Sequence, residues 1–256
     1  MTVSPRVYLL DIEGTTSPVS LVSEQLFPFA RKHLEAYLRD HWSEAETQAD
    51  LGLLIEENRT EIRLGSDEKQ ILRFAQDDMA SGIGEQSIAE AEIDSVMAYL
   101  LWLMDRDRKS TALKSLQGRI WKSGYEAGEL VGTVFPDVAE AFERWSKTAK
   151  VAIYSSGSVE AQKLIFRYSS AGDLTPFISA YFDTRTGAKT SPASYRAIAE
   201  QVQAAPKSIL FISDLVRELD PAREAGCMTR LSVREGNQPV PDENGHTQIQ
   251  SFAEID

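Results

Sequence analysis

Cysteine is almost missing from this chain of 256 residues: Cys227 stands alone, so no intrachain disulfide can form, which fits a reducing compartment. Its setting, Ala225-Gly226-Cys227-Met228, reads as a buried turn or strand start rather than a nucleophile's surroundings. Histidine is scarce as well. His33, His41 and His246 are scattered, and no Cys/His cluster with zinc-ligand spacing exists. Positive charge is in deficit: 27 Lys and Arg face 39 Asp and Glu, a formal net charge of −12. Such a surface repels nucleic acid and acidic membranes, so neither is an expected partner. No apolar run of about 18 residues occurs, so nothing reads as spanning a bilayer. Met1 to Arg6 lacks the charged-then-apolar pattern of a leader. The expectation is a cytoplasmic enzyme acting on a small molecule. Internal repeats and low-complexity tracts are also lacking.

What is present is ordinary globular material, with 42% hydrophobic and 26% charged residues, on a chain long enough to bury a core. Three short apolar runs read as buried strands: Val7-Tyr8-Leu9-Leu10, Val151-Ala152-Ile153-Tyr154 and Ile209-Leu210-Phe211-Ile212, with Met228 to Val233 as a fourth. Helix signals lie between them. Asp137 and Glu140 have capping-box spacing, Ser158 opens a helical stretch, and Ser191-Pro192 places a capping serine before a proline at the first helical position. Leu219 to Ala225 reads as a helix stopped by Gly226, and Gly236 to His246 as a surface loop. Strands alternating with helices predict an α/β fold, a Rossmann-like doubly wound parallel sheet. Residues 20–124 differ. Phe27, Ala30, Leu34, Tyr37 and Leu38 share one helical face, as do Val96, Tyr99, Leu100, Leu103 and Met104. The prediction is an all-helical insert over 20–124, with 1–19 and 125–256 forming the α/β core.

Each clear strand ends in polar groups: Asp11-Ile12-Glu13-Gly14-Thr15-Thr16, Ser155-Ser156-Gly157-Ser158 and Ser213-Asp214. An open parallel sheet binds ligands beyond the carboxyl ends of its strands, so these groups are expected to converge. Asp11 and Asp214, with Glu13 nearby, concentrate negative charge that a hard cation would offset, and oxygen ligands suit magnesium. Ser155 or Ser156 can donate a hydroxyl to a phosphate oxygen, beside the amides of a helix start. Lys189, after Gly187, can neutralise phosphate charge. These parts match phosphoryl transfer. Asp11 is the candidate nucleophile and Glu13 the candidate acid and base. Singly, each has an ordinary alternative: Asp11 a turn residue, Glu13 a solvated charge, the serines a helix entry, Lys189 a surface lysine, Asp214 a cap. Their joint order along alternating strands favours chemistry.

The same residues resemble the haloacid dehalogenase superfamily of phosphohydrolases, with Glu13 where that superfamily usually has Asp. The enolase-phosphatase (acireductone synthase) branch of methionine salvage is similar in this respect. The likeness extends through Leu26-Phe27-Pro28, Trp121-Lys122-Ser123-Gly124-Tyr125, Phe135-Pro136-Asp137-Val138, Tyr154 to Leu164 and Tyr181-Phe182-Asp183-Thr184. The resemblance implies one magnesium ion per chain, held by Asp11, Asp214 and the backbone carbonyl of Glu13. Ser155, Ser156 and Lys189 would bind substrate, the helical insert would be a cap, and the protein a monomer. The implied substrate is 2,3-diketo-5-methylthiopentyl-1-phosphate, enolised and then dephosphorylated to the acireductone. Two rivals stay open from the residues alone: another small-ester phosphatase of this superfamily, and a phospho-acceptor signalling module. The latter places its acidic pair first and its phosphorylated Asp on a later strand.

Overall fold

Val7–Leu10 forms strand β1, and all four of its residues are buried. A computed structural model describes residues 4–63, 85–240 and 243–255. The chain divides into two compact units, Met1–Leu26 with Gly124–Asp256, and Phe27–Ser123. The π-helical segment Leu21–Leu26 lies in the first unit, although the helical insert was expected to begin at residue 20.

Helices α1 Phe27–His41, α2 Ala45–Arg63, α3 Glu85–Asp105 and α4 Thr111–Glu126 follow β1. Ala30, Leu34 and Leu38 bury one stripe of α1, and Val96, Tyr99, Leu100 and Leu103 one stripe of α3. The spacing of three and four is the reason both segments are helical and packed together. Tyr37 lies at the margin of that cluster, and its hydroxyl accepts from Arg119 Nε at 2.9 Å. Residues 64–84 lie outside the described ones.

The α/β unit continues with α5 Val138–Ser146, β2 Lys150–Tyr154, α6 Val159–Arg167, β3 Ile178–Phe182, α7 Pro192–Gln201, β4 Ile209–Ser213, α8 Val216–Glu224, β5 Met228–Ser232 and β6 Gln248–Ile249. The sheet order is β3-β2-β1-β4-β5-β6, with every pair parallel. β1, β2 and β4 lie inside the sheet and are covered on both faces, which is why they are near-continuous apolar runs. β3 runs along one edge, with only Phe182 fully buried. Its sequence Ile-Ser-Ala-Tyr-Phe carries no such run, and it was not predicted. Neither was the two-residue β6.

Leu10 aligns with Ile153 of β2 and Ile212 of β4. These three strands therefore end level, and the residues that follow them share one edge. Strand order reverses between β1 and β4, so the crevice of a doubly wound sheet opens there. Asp11 and Ser213-Asp214 sit at that position. Among the described residues no helix is long and apolar enough to cross a membrane.

Three local expectations need correction. Asp137 precedes α5 but makes no side-chain cap. Its Oδ2 instead accepts from Arg234 Nη2 at 2.8 Å, Ser251 Oγ at 2.9 Å and the Phe252 amide at 2.6 Å. Burial raises its pKa, but these donors outweigh that and hold it below the usual carboxylate range. Ser191 precedes Pro192 without capping α7 through its side chain. The predicted surface loop turns inward at its end: His246 is buried, with Nδ1 2.8 Å from Thr229 Oγ1 and Nε2 3.2 Å from Asp220 Oδ1. Ser158, by contrast, caps α6 by accepting from the Ala161 amide. Cys227 is buried in the apolar core, which pushes its thiol up to about 11; at neutral pH it is a protonated packing residue.

Candidate active site

Asp11 is the first residue beyond β1. Its amide donates to Ile212 O of β4 at 3.0 Å, so the backbone stays in register with the sheet as it turns away. Asp11 as a whole is only 5% exposed. Its Oδ1 accepts from the Ile12 amide at 2.7 Å and pairs with Lys189 Nζ at 2.6 Å. Ser213 Oγ lies 3.3 Å from Asp11 Oδ2 and 3.0 Å from Glu218 Oε2, so its one proton serves one carboxylate at a time. Thr16 closes the loop, with its hydroxyl 3.1 Å from Asp11 O.

Lys189 is carried by a turn fixed on several sides. Gly187 has φ +142, and a Cβ there would run into Ser194 Oγ. Tyr154 donates to Gly187 O at 2.9 Å and Ser194 to Ala188 O at 2.8 Å. The Tyr195 hydroxyl lies 2.7 Å from Lys189 O and 2.9 Å from Glu218 O. The ammonium bridges Asp11 and Glu218, at 2.8 Å from Glu218 Oε2. Burial alone would lower its pKa, but the two carboxylates outweigh burial and hold it above the ordinary lysine value. The two carboxylates therefore favour the protonated, cationic form of Lys189.

Three neighbouring carboxyls are raised too, which for an acid favours the neutral form. Glu13 is held above its usual value by burial and then by Asp11. Glu218 is raised by burial and then by Asp11, with Lys189 pulling against both. Asp214 is pushed up to about 7, by burial first and then by Asp11 and Glu218. Gly14, at φ +66, lets the backbone after Glu13 pass directly over Asp214: a Cβ on Gly14 would stand 2.5 Å from Asp214 Oδ2.

Ser155 is buried after β2, with its amide bonded to Phe182 O at 3.1 Å and its Oγ accepting from the Gly157 amide at 3.2 Å. Ser156 is exposed at the start of α6. The structure thus brings Asp11 and Lys189 into direct contact and sets Glu13 and Asp214 within their electrostatic reach. Ser155 and Ser156 share the same sheet edge, on the strand next to β1. Glu218 was missed in the sequence. Its signal was the spacing Asp214-x-x-x-Glu218, which puts an acid in the first turn of α8.

Among the described residues, no three His, Cys, Asp or Glu side chains form a ready-made metal cage. Magnesium does not require one, because it takes one or two carboxylates, keeps waters and uses ligand oxygens. The residues fit it on two observations. Asp214, pushed up to about 7 by burial first and then by Asp11 and Glu218, stands among more buried carboxyls than the Lys189 ammonium can offset, and a cation beside it would relieve that charge. Gly14 also leaves a cradle beside Asp214 that any side chain would fill.

This sets a pH dependence. A ligand role for Asp214 would require its carboxylate to lose the proton, so on that role magnesium affinity should fall about tenfold from pH 8 to pH 6, readable by titration calorimetry. Without metal the sign for folding is the reverse. A carboxyl raised from 3.8 to about 7 adds stability below the lower value that is lost as pH rises through the upper one. Metal-free Tm should therefore decline from pH 4 to pH 7 on account of this group, and the magnesium-induced rise in Tm should be larger at pH 8 than at pH 6. An affinity that does not change with pH would contradict this account.

The haloacid dehalogenase-like hydrolase family model matches residues 5–226. The chain is 47% identical over 254 residues to "Enolase-phosphatase E1" of Synechococcus elongatus, covering 99% of this chain and 98% of that one. The crystal structure of the UTR4 protein of Saccharomyces cerevisiae superposes with TM-score 0.70 at 33% identity, covering 97% of this chain and 99% of the other. The HAD-hydrolase YfnB of Bacillus subtilis, in a magnesium-bound form, shares the fold with TM-score 0.53 at 14% identity, covering 98% and 97%.

Proposed function

The chain belongs to the haloacid dehalogenase-like hydrolases and, within them, to the enolase-phosphatases, and from that membership we propose the reaction and the part each residue plays in it. The substrate is 2,3-diketo-5-methylthiopentyl-1-phosphate. It is enolised as a proton moves from the carbon beside a carbonyl to that carbonyl's oxygen, then hydrolysed by one water to 1,2-dihydroxy-3-keto-5-methylthiopentene and phosphate, a step of methionine salvage. The observation that carries the reading is the buried Asp11 carboxylate, held 2.6 Å from the Lys189 ammonium where strand order reverses.

Asp11 attacks phosphorus. Its oxygen forms a bond to phosphorus as the bond to the leaving enol oxygen breaks, giving an aspartyl phosphate. Glu13, whose pKa is raised by burial and then by Asp11, gives a proton to the leaving oxygen. As a carboxylate it then takes a proton from the water that attacks the aspartyl phosphate, which frees phosphate and restores Asp11. Lys189 stays protonated throughout and offsets charge on the transferring group. Ser155, Ser156 and the amides opening α6 receive phosphate oxygens. Asp11, Asp214 and the Glu13 carbonyl would hold one magnesium ion, which when bound neutralises phosphate charge and polarises the diketone. The helical unit is the proposed cap, and the protein a monomer of the cytoplasm, consistent with its one buried thiol.

A time course with the diketo phosphate tests the reading, following enol absorbance and free phosphate together. Enol should appear first, and phosphate should reach the same final amount. Phosphate without a preceding enol, or enol that never yields phosphate, would refute the two-stage assignment.

A further inference from the structure

Asn237 lies in the loop after β5, far from the nucleophile in sequence, and it reaches back to the nucleophile loop. Its Nδ2 donates to Gly14 O at 2.9 Å and lies 3.1 Å from Ser232 O. The buried Ser232 hydroxyl donates to the same Gly14 carbonyl at 3.0 Å. Two donors from the end of β5 thus fix one peptide of the loop that carries Asp11 and Glu13. That peptide is a lever. Gly14 sits at φ +66, and rotation there would swing the Glu13 carbonyl and side chain together. Asn237 Oδ1 is buried with no hydrogen-bond partner among the described residues. It stands 2.7 Å, and Asp214 Oδ2 2.5 Å, from the point a Gly14 Cβ would occupy. An unpaired buried acceptor is costly unless a ligand meets it, and a hydrated cation beside Asp214 offers O–H donors.

We infer that Asn237, with Ser232, is a positioning residue for the cation site: it clamps the Gly14 carbonyl so that Glu13 and Asp214 face one ion, and its Oδ1 completes the outer hydration of that ion. The inference rests on the enolase-phosphatase reading and adds residues to its machinery. Partners of this outer kind typically change metal affinity or activity by about 10- to 100-fold.

The test measures magnesium binding by calorimetry on the protein without substrate, then kcat and KM for the diketo phosphate at saturating magnesium. Asn237→Ala should bind magnesium about tenfold more weakly, with kcat lowered and KM little changed. Ser232→Ala, a smaller change at the same carbonyl, should shift both in the same direction. The double variant should lose less than the two single losses combined, because they share one acceptor. Should Asn237→Ala fail to fold, Ser232→Ala alone decides. Wild-type affinity and kcat in folded variants would overturn the inference and leave the function reading intact. A wild-type protein that takes up no magnesium would overturn both.

Discussion

Asp11→Asn should remove phosphate release almost entirely, with kcat down on the order of 10⁴-fold or more, while the protein remains folded. The amide is isosteric with the carboxylate. Its oxygen can still accept from the Ile12 amide and from Lys189, which donate to Asp11 Oδ1 at 2.7 Å and 2.6 Å. Its NH2 can turn to Ser213 Oγ, which accepts as readily as it donates. What disappears is the anionic oxygen that bonds to phosphorus, and no neighbouring group replaces it, because Ser213 and Lys189 are already engaged. Removing one buried negative charge also relaxes its neighbours: Asp11 is a cause of the raised pKa of both Glu13 and Asp214, so both should titrate at lower pH in the variant. Unchanged Tm with lost turnover is the expected pair of measurements. Near-normal phosphate release would show that another group is the nucleophile.

Lys189→Met should damage both activity and stability, and the stability loss should depend on pH. The ammonium is buried and bridges Asp11 and Glu218 at 2.6 Å and 2.8 Å. Breaking a buried pair costs about 3–5 kcal/mol when the remaining charge stays ionised. Here two carboxylates would be left facing each other, and they can escape part of that cost by taking up a proton. Glu218 is already raised with Lys189 present, so without it the carboxyl should stay protonated to higher pH. A raised folded-state carboxyl stabilises at low pH and loses that contribution as pH rises. The variant should therefore melt close to wild type near pH 5 and well below it near pH 8. Catalysis should fall by about 10³-fold, the scale of losing one preorganised charge at a developing oxyanion. Arginine should not rescue it, because the guanidinium is planar and larger, and the turn behind Lys189 is fixed by Gly187, Ser194 and Tyr195. Equal melting at both pH values would remove Lys189 from the charge balance.

The inner strands were legible because a strand covered on both faces is a near-continuous apolar run, as Val7–Leu10 and the first four residues of Ile209–Ser213 are. β3 was not, because an edge strand alternates with solvent and loses that mark. Asp11, Ser155, Lys189 and Asp214 stood out as polar groups at strand ends or in a glycine turn. Glu218 did not, since an acid in the first turn of a helix is also what the helix dipole favours. Asp137 shows the same limit. Its capping-box spacing is genuine, but its carboxylate turns to Arg234 and Phe252, contacts 97 and 115 residues away in the chain.

By itself the sequence determined the local periods, hence the buried strands β1, β2 and β4 and the helical stretches, and which side chains leave the sheet at its carboxyl edge. Tertiary structure decided which of those ends become neighbours. The order β3-β2-β1-β4-β5-β6 sets β4 beside β1, bringing Ser213 to Asp11 across 202 residues, and lets Asn237 reach Gly14 across 223. Hydrophobic patterning specifies a face and a period over a few residues, whereas a hydrogen bond or a shifted pKa depends on distances of a few ångströms that only the folded chain sets.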